Sequence, residues 1–161
     1  MSDRLKIFRE DPVLQELNRI RALLVERGHC KRNLYEILPD RTLKFCIRGA
    51  ALGEAFFLDQ GVNGFRMNVA TWLHTPRFRE IEEVEILLSD ILLEEYQDHP
   101  AIKAWHNRPA DYNNDRRVVS VMFNNWPSVE TADLVSLIDK AIALRISDIT
   151  DNQPVLTPAV A

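Results

Sequence analysis

The sequence has few of the residues that mark secreted or membrane-spanning proteins. Among 161 residues it contains two cysteines, Cys30 and Cys46, and no positively charged segment followed by an apolar one opens it. Disulfide frameworks need more cysteines and an oxidising compartment, so we expect reduced thiols and a cytoplasmic location. No apolar run approaches the ~20 residues that span a bilayer, so we expect a soluble chain with no membrane partner.

The usual spacings of a metal or phosphate site are also missing. Zinc sites typically pair their ligands as C-x-x-C or H-x-x-x-H, and neither spacing occurs. The glycines of Gly61-Val62-Asn63-Gly64 lack the lysine of a phosphate-binding loop. We therefore predict no metal, no cofactor and no catalytic residue.

Charge is distributed unevenly along the chain. Residues 1–48 carry eleven basic and seven acidic residues, whereas residues 80–98 carry eight acidic residues and no basic one. These segments either dock on each other or leave a basic face in the N-terminal third, and we favour docking. Because the net charge is -4, we do not expect a nucleic-acid partner, although binding through that third stays an alternative.

The most regular pattern lies at the C-terminal end. Apolar residues recur at three- and four-residue steps from Val129 to Ile149, which predicts a helix with one buried face. Ser128 follows a proline and is the predicted N-cap of this helix. We expect the other helices to pack against its apolar face.

Two further helices have clear start signals. Asp11-Pro12 predicts a helix that runs to about Arg27 and ends at Gly28. Thr75-Pro76 predicts a long helix to about residue 97 with an acidic outer face.

Two apolar segments are harder to assign. Residues 43–57 predict a buried helix in which Gly49 and Gly53 let another helix approach closely, with a strand over 43–47 followed by a helix as the alternative. Residues 116–123 fit a buried strand or a buried helix. Together these patterns predict an all-α or nearly all-α fold. We expect one compact domain of four to five helices over residues 1–149. A short strand at 117–123 stays an alternative, and residues 150–161 are expected to form a disordered tail.

Two motifs resemble a family of small bacterial and phage proteins of unknown function. The first is Cys46-Ile47-Arg48-Gly49-Ala50-Ala51, which is similar to the family's Cys-Leu-x-Gly-Ala-Leu. The second is Phe123-Asn124-Asn125-Trp126-Pro127 with Leu137-Ile138-Asp139-Lys140-Ala141-Ile142, which resembles the family's Trp-Asn-Asp-x-Pro and Leu-Leu-Asp-Arg-Ala-Ile. Phe123 and Asn125 depart from the family's usual Trp and Asp. The resemblance implies a helical fold and a phage or mobile-element accessory factor, and it supplies no activity.

Protein binding is the function that we favour. Aromatic and arginine side chains dominate binding hot spots. Four residues of these types and one neighbouring asparagine lie in or beside loops with weak apolar patterning: Trp105, Arg108, Tyr112, Asn125 and Trp126. The partner is expected to be a protein, and self-association is left open. A small enzyme that uses Cys46, His106 or Asn124 is the alternative.

Overall fold

The computed structural model describes residues 3–52, 76–109 and 115–152. The helices in these ranges are α1 (Asp3–Glu10), α2 (Pro12–Arg27), α3 (Ile47–Leu52), α4 (Pro76–Glu95), α5 (Pro100–His106), α6 (Val118–Asn125) and α7 (Thr131–Asp151). The strands are β1 (Tyr35–Ile37) and β2 (Leu43–Phe45). The mainly helical fold is confirmed, with more and shorter helices than expected. In the described part, no helix combines the length and the apolar character needed to cross a membrane.

The C-terminal helix α7 has the buried apolar face that its periodicity predicts, but α2 rather than α7 is the helix that most elements pack against, since α2 contacts α1, α3, α4, α7 and β2. The buried face of α7 contacts α2 and α4, and the three helices contribute most of one hydrophobic core. The α7 residues in that core are Leu134, Leu137, Ile138 and Ala141. Opposite them α2 contributes Leu17, Ile20 and Leu24, and α4 contributes Ile81, Val84, Leu88, Ile91 and Leu92.

Both ends of α2 follow the sequence prediction. The Asp11 carboxylate accepts a hydrogen bond from the Leu14 N–H at 2.9 Å, and Gly28 has a φ of +71° that suits glycine. Asp11 also binds the guanidinium of Arg145 at 2.8 Å, which joins the start of α2 to α7. Although burial opposes it, the hydrogen bonds from Arg145 and Leu14 hold the pKa of Asp11 below its usual value.

The predicted cap of α7 is wrong. Ser128 is exposed, and α7 begins at Thr131 with Glu130 as its N-cap. Here Asp133 accepts a hydrogen bond from the Glu130 N–H at 2.7 Å. A tight turn in which the Val129 N–H binds the Trp126 carbonyl at 3.1 Å buries Val129 before the helix begins.

The helix predicted over residues 43–57 is also wrong in its first part. Residues 43–45 form β2, which pairs with β1 in an antiparallel hairpin, and α3 follows. The strand-then-helix alternative therefore holds, and residues 53–57 lie outside the described residues. A carbonyl rather than a helix approaches Gly49: a Cβ built there would lie 1.9 Å from the Leu34 oxygen.

Residues 116–123 fit either a strand or a helix in the sequence. In the structure residues 118–125 form helix α6. Val119, Ser120, Phe123 and Asn124 are buried at helical spacing, but the half-buried apolar side chains between them hide that period in the sequence. Thr150 and Asp151, expected in the tail, are the last residues of α7. Residues 153–161 lie outside the described ranges.

Acidic residues of α4 are paired with bases from several other segments. Arg48 binds Glu85 through two hydrogen bonds of 2.5 and 3.0 Å, and Glu85 is 6% exposed. Arg117 binds Glu82 at 2.8 Å, and Lys140 binds Glu95 at 2.7 Å. Docking of the N-terminal basic segment on the acidic helix is thus found at Arg48, while the other two bases come from later in the chain.

Candidate functional site

The side chain of Asn124 joins three segments that are distant in the sequence. Its Oδ1 accepts the Ile47 N–H at 3.0 Å, and its Nδ2 donates to the Cys30 carbonyl at 3.0 Å and to Asn125 Oδ1 at 3.2 Å. The partners fix the orientation of the amide, because one is a donor and two are acceptors. Asn124 is fully buried. We use the name Asn124 junction for Asn124, for Cys30 and Ile47, whose backbone groups it binds, and for Cys46, which precedes Ile47.

The amide of Asn124 stands in for one rung of a β-ladder. His29 and Phe45 form a parallel bridge, in which the Cys30 N–H donates to the Phe45 carbonyl at 3.0 Å. The next bond of a parallel ladder would join the Ile47 N–H to the Cys30 carbonyl. Asn124 occupies the space between these two groups and binds both, so the ladder is extended by a side chain.

Of the three residues of the enzyme alternative, Cys46 and Asn124 are buried and His106 is exposed. The Cys46 thiol is buried, accepts a hydrogen bond from the Gly49 N–H at 3.3 Å, and has its pKa raised by burial. Asn124 is buried at the same junction and uses its amide for backbone groups. His106 is exposed at the end of α5. Buried and neutral thiols are poor nucleophiles, so this arrangement has little capacity for acyl transfer.

Trp126 forms a rigid corner at the end of α6. Its ring meets His99 edge-on with centroids 6.4 Å apart, and the His99 ring in turn meets Phe123 at 4.9 Å. Lys31 Nζ donates to the carbonyls of Trp126 and Pro127 at 2.8 and 2.9 Å. We call these residues, Lys31, His99, Trp126 and Pro127, the Trp126 corner, and Trp126 in it is half-buried.

Asn125 joins this corner to the connector between α2 and β1. Its Oδ1 accepts the Arg32 N–H at 2.8 Å, where Arg32 has a φ of +69°. Residues other than glycine are strained in this conformation, and the hydrogen bond to Asn125 helps to stabilise it. Arg32 itself is exposed beside the corner.

The other predicted tryptophan lies at the opposite end of α5. Trp105 is only 9% exposed and belongs to the core, and the Arg108 guanidinium stacks over its ring at 3.0 Å from the centroid. His99 caps the start of α5, so Trp105 lies about 9 Å further along the helix axis. The predicted binding residues therefore form two groups, Asn125 with Trp126 and Trp105 with Arg108. Tyr112 lies outside the described residues.

His29 is a further residue of this region that the sequence analysis did not select. Its Nδ1 lies 2.8 Å from Thr131 Oγ1 at the start of α7, while its Nε2 is buried without a hydrogen-bond partner among the residues that the structure describes. Burial lowers the pKa of His29, the charges of Lys31 and Lys44 lower it further, and Asp133 opposes them. Lys31 and His99 were missed as well, since nothing local in the sequence connects them to Trp126.

A shallow groove of about 420 Å³ lies between α1, α2 and α7. Its lining is mostly apolar with polar edges and consists of Phe8, Arg9, Leu14, Gln15, Asn18, Ile142 and Ile146. None of the predicted site residues lines it. Within residues 3–52, 76–109 and 115–152, no three His, Cys, Asp or Glu side chains are grouped to hold a metal ion.

Comparison with known proteins adds no further assignment. No family model matches the sequence, and no curated protein or solved structure matches it.

Proposed function

We propose that the chain is a non-catalytic, cytoplasmic interaction protein that binds a protein partner through the Trp126 corner. A role as a phage or mobile-element accessory factor, which the two motifs imply, is part of this proposal. The observation that carries it is that Trp126 is only half-buried while its backbone N–H and carbonyl are both hydrogen-bonded.

The backbone of Trp126 is fixed by three hydrogen bonds. Its N–H donates to the Phe123 carbonyl at 3.1 Å, and its own carbonyl accepts from the Val129 N–H at 3.1 Å and from Lys31 Nζ at 2.8 Å. Tryptophan is enriched in binding hot spots, and a side chain that is already ordered loses less entropy when it binds. Pro127 and Ser128, which follow it in the chain, are exposed, as is Arg32, whose N–H binds the adjacent Asn125.

The chemistry of the neighbouring residues also favours binding over catalysis. The Asn124 amide and the Cys46 thiol are engaged with backbone groups. Burial raises the pKa of Cys46, so its thiolate is scarce at neutral pH. These observations count against the enzyme alternative.

Several basic residues of the N-terminal third are engaged by other parts of the protein. Arg19 donates to the carbonyls of Ala50 and Ala51, and Arg21 binds Asp139 at 2.6 Å. Lys31 and Arg48 are occupied at the Trp126 corner and at Glu85. Nucleic-acid binding would need such side chains on phosphates, so the contacts favour a protein partner.

A Trp126→Ala variant tests the proposal against a matched control. Val25, on α2, is 60% exposed, so Val25→Ala removes exposed apolar surface elsewhere. Each tagged chain is used as bait in lysate at equal folding, with quantitative mass spectrometry of what is retained. We expect a protein that wild type and Val25→Ala retain and that Trp126→Ala loses by about thirtyfold, the effect of about 2 kcal/mol at a hot spot.

Equal recovery with Trp126→Ala would contradict the assignment of this surface. Equal loss with both variants would show that the loss is not specific to the corner. If the retained protein is a second copy of the chain, sedimentation of the purified protein should show a dimer that Trp126→Ala dissociates. Retention of nucleic acid that weakens steeply with salt would favour the basic face instead.

A further inference from the structure

The two cysteines of the chain are brought to neighbouring positions by the fold. His29 and Phe45 form an isolated parallel bridge, and continuing its register by one residue places Cys30 opposite Cys46, with the Cys30 N–H bound to the Phe45 carbonyl at 3.0 Å. Side chains at paired positions of a ladder point to the same face. Neighbouring strands lie about 5 Å apart, and disulfides join Cα atoms that are about 4.4–6.8 Å apart. The backbone arrangement thus suits a bond between the two sulfurs.

Both thiols are buried and weakly held. Cys30 is 4% exposed and Cys46 is 6% exposed. Cys30 Sγ donates to the Asn33 carbonyl at 3.4 Å, and Cys46 Sγ accepts the Gly49 N–H at 3.3 Å. Burial raises the pKa of Cys30 to about 11, and the charge of a Cys46 thiolate is the next largest cause. That effect of Cys46 on Cys30 is consistent with two sulfurs in the same neighbourhood.

We propose that Cys30 and Cys46 form a reversible disulfide that locks the α2–β1 connector onto the β2–α3 junction, with a small disulfide such as oxidised glutathione as the oxidant. One cysteine thiolate attacks a glutathione sulfur and releases the first glutathione thiolate. The other cysteine thiolate attacks the protein sulfur of this mixed disulfide and releases the second. Two electrons pass from the protein to the oxidant, and the two thiol protons end on glutathione.

The proposed bond joins the same segments that Asn124 joins by hydrogen bonds. Cys30 supplies the carbonyl that Asn124 binds, and Cys46 precedes the Ile47 N–H that Asn124 also binds. Oxidation would make this noncovalent junction covalent. Since the native fold already holds the two positions together, folding should favour the bond.

The test measures disulfide formation in the native and unfolded chain. Wild-type protein is equilibrated in glutathione buffers of increasing oxidised fraction, with and without urea, then quenched in acid, alkylated and weighed by mass spectrometry. We expect the native monomer to lose two hydrogens without retaining glutathione, at a ratio of oxidised to reduced glutathione about tenfold or more lower than in urea. Because the reactive species is the thiolate, the native reaction should also accelerate about tenfold per pH unit between about pH 7 and 9.

Three results would overturn the proposal. They are a native chain that keeps two alkylatable thiols at equilibrium, a native chain that carries two glutathiones, and a bond that forms more readily in urea than in the native state. Cys30→Ala and Cys46→Ala are the controls, since neither can lose two hydrogens. The main readout uses wild type, so a folding defect in either variant leaves the result interpretable.

Discussion

Replacing Asn124 with alanine should remove a large part of the protein's stability. The change leaves the Ile47 N–H and the Cys30 carbonyl buried without the amide that binds them. A buried polar group without a partner costs about 1–3 kcal/mol, so two of them cost about 2–6 kcal/mol. At a urea slope of about 2 kcal/mol per M, in the middle of the range for small domains, the midpoint should fall by about 1–3 M.

The assay is urea unfolding followed by circular dichroism at neutral pH. Asn125→Ala is the matched control, because Asn125 is half-buried and accepts from the N–H of exposed Arg32 and from Asn124 Nδ2, so its loss leaves the bonds of Asn124 to Ile47 and Cys30 in place. Its loss should cost about 1 kcal/mol. If Asn124→Ala is no less stable than Asn125→Ala, the amide does not extend the ladder as described.

Asn124→Asp gives a second, pH-dependent signature. The carboxylate can still accept the Ile47 N–H, but its other oxygen faces the Cys30 carbonyl and repels it. A protonated carboxyl can donate there, so burial and this contact should raise the pKa of the new side chain above its unfolded value. The penalty should therefore shrink as the pH falls through that raised pKa. Relative to wild type, Asn124→Asp should recover stability in acid, whereas Asn124→Ala should not, and equal behaviour of both variants would refute this reasoning.

Two further predictions concern the same region. Gly49→Ala should cost about 3 kcal/mol or more, because its Cβ would lie 1.9 Å from the Leu34 oxygen. Gly28→Ala should lose less in the same urea assay, since its φ is +71° but its nearest contact is Lys44 Cε at 3.5 Å. The lowered pKa of His29 means that the unfolded chain binds its proton more readily, so the stability that neutral His29 contributes should be lost as the pH falls below about 6.5. His29→Gln should abolish this part of the pH dependence, and an unchanged slope would contradict the assignment.

Apolar periodicity and cap residues together predicted the three long helices that contribute most of the core. For α2 the cap residues and the apolar spacing agree, and the structure has the helix over Pro12–Arg27. The long acidic helix and the C-terminal helix likewise follow from apolar residues at helical steps. Here local preference and tertiary burial favour the same conformation, which is why a single sequence is enough.

The sequence was misleading where distant backbone groups decide the conformation. Residues 43–45 are apolar enough for a helix, but pairing with β1 and with His29 makes them a strand. The close approach of the Leu34 carbonyl explains Gly49, and no spacing within residues 43–57 indicates that neighbour. Such contacts depend on loop closure, which local periodicity does not contain.

The two adjacent asparagines show how far a motif can be interpreted without coordinates. In the sequence Asn124 and Asn125 are equivalent neighbours before Trp126, yet successive helix positions point about 100° apart. That rotation buries Asn124 against Cys30 and Ile47, while Asn125 reaches Arg32 beside the surface. The first asparagine therefore determines whether the junction holds together, whereas loss of the second should cost only about 1 kcal/mol and, under the proposed function, should weaken binding. Variants at Asn124 should mainly lose stability, and variants at Asn125 should mainly lose partner capture. If variants at either position lost both properties, this assignment of the two asparagines would be wrong.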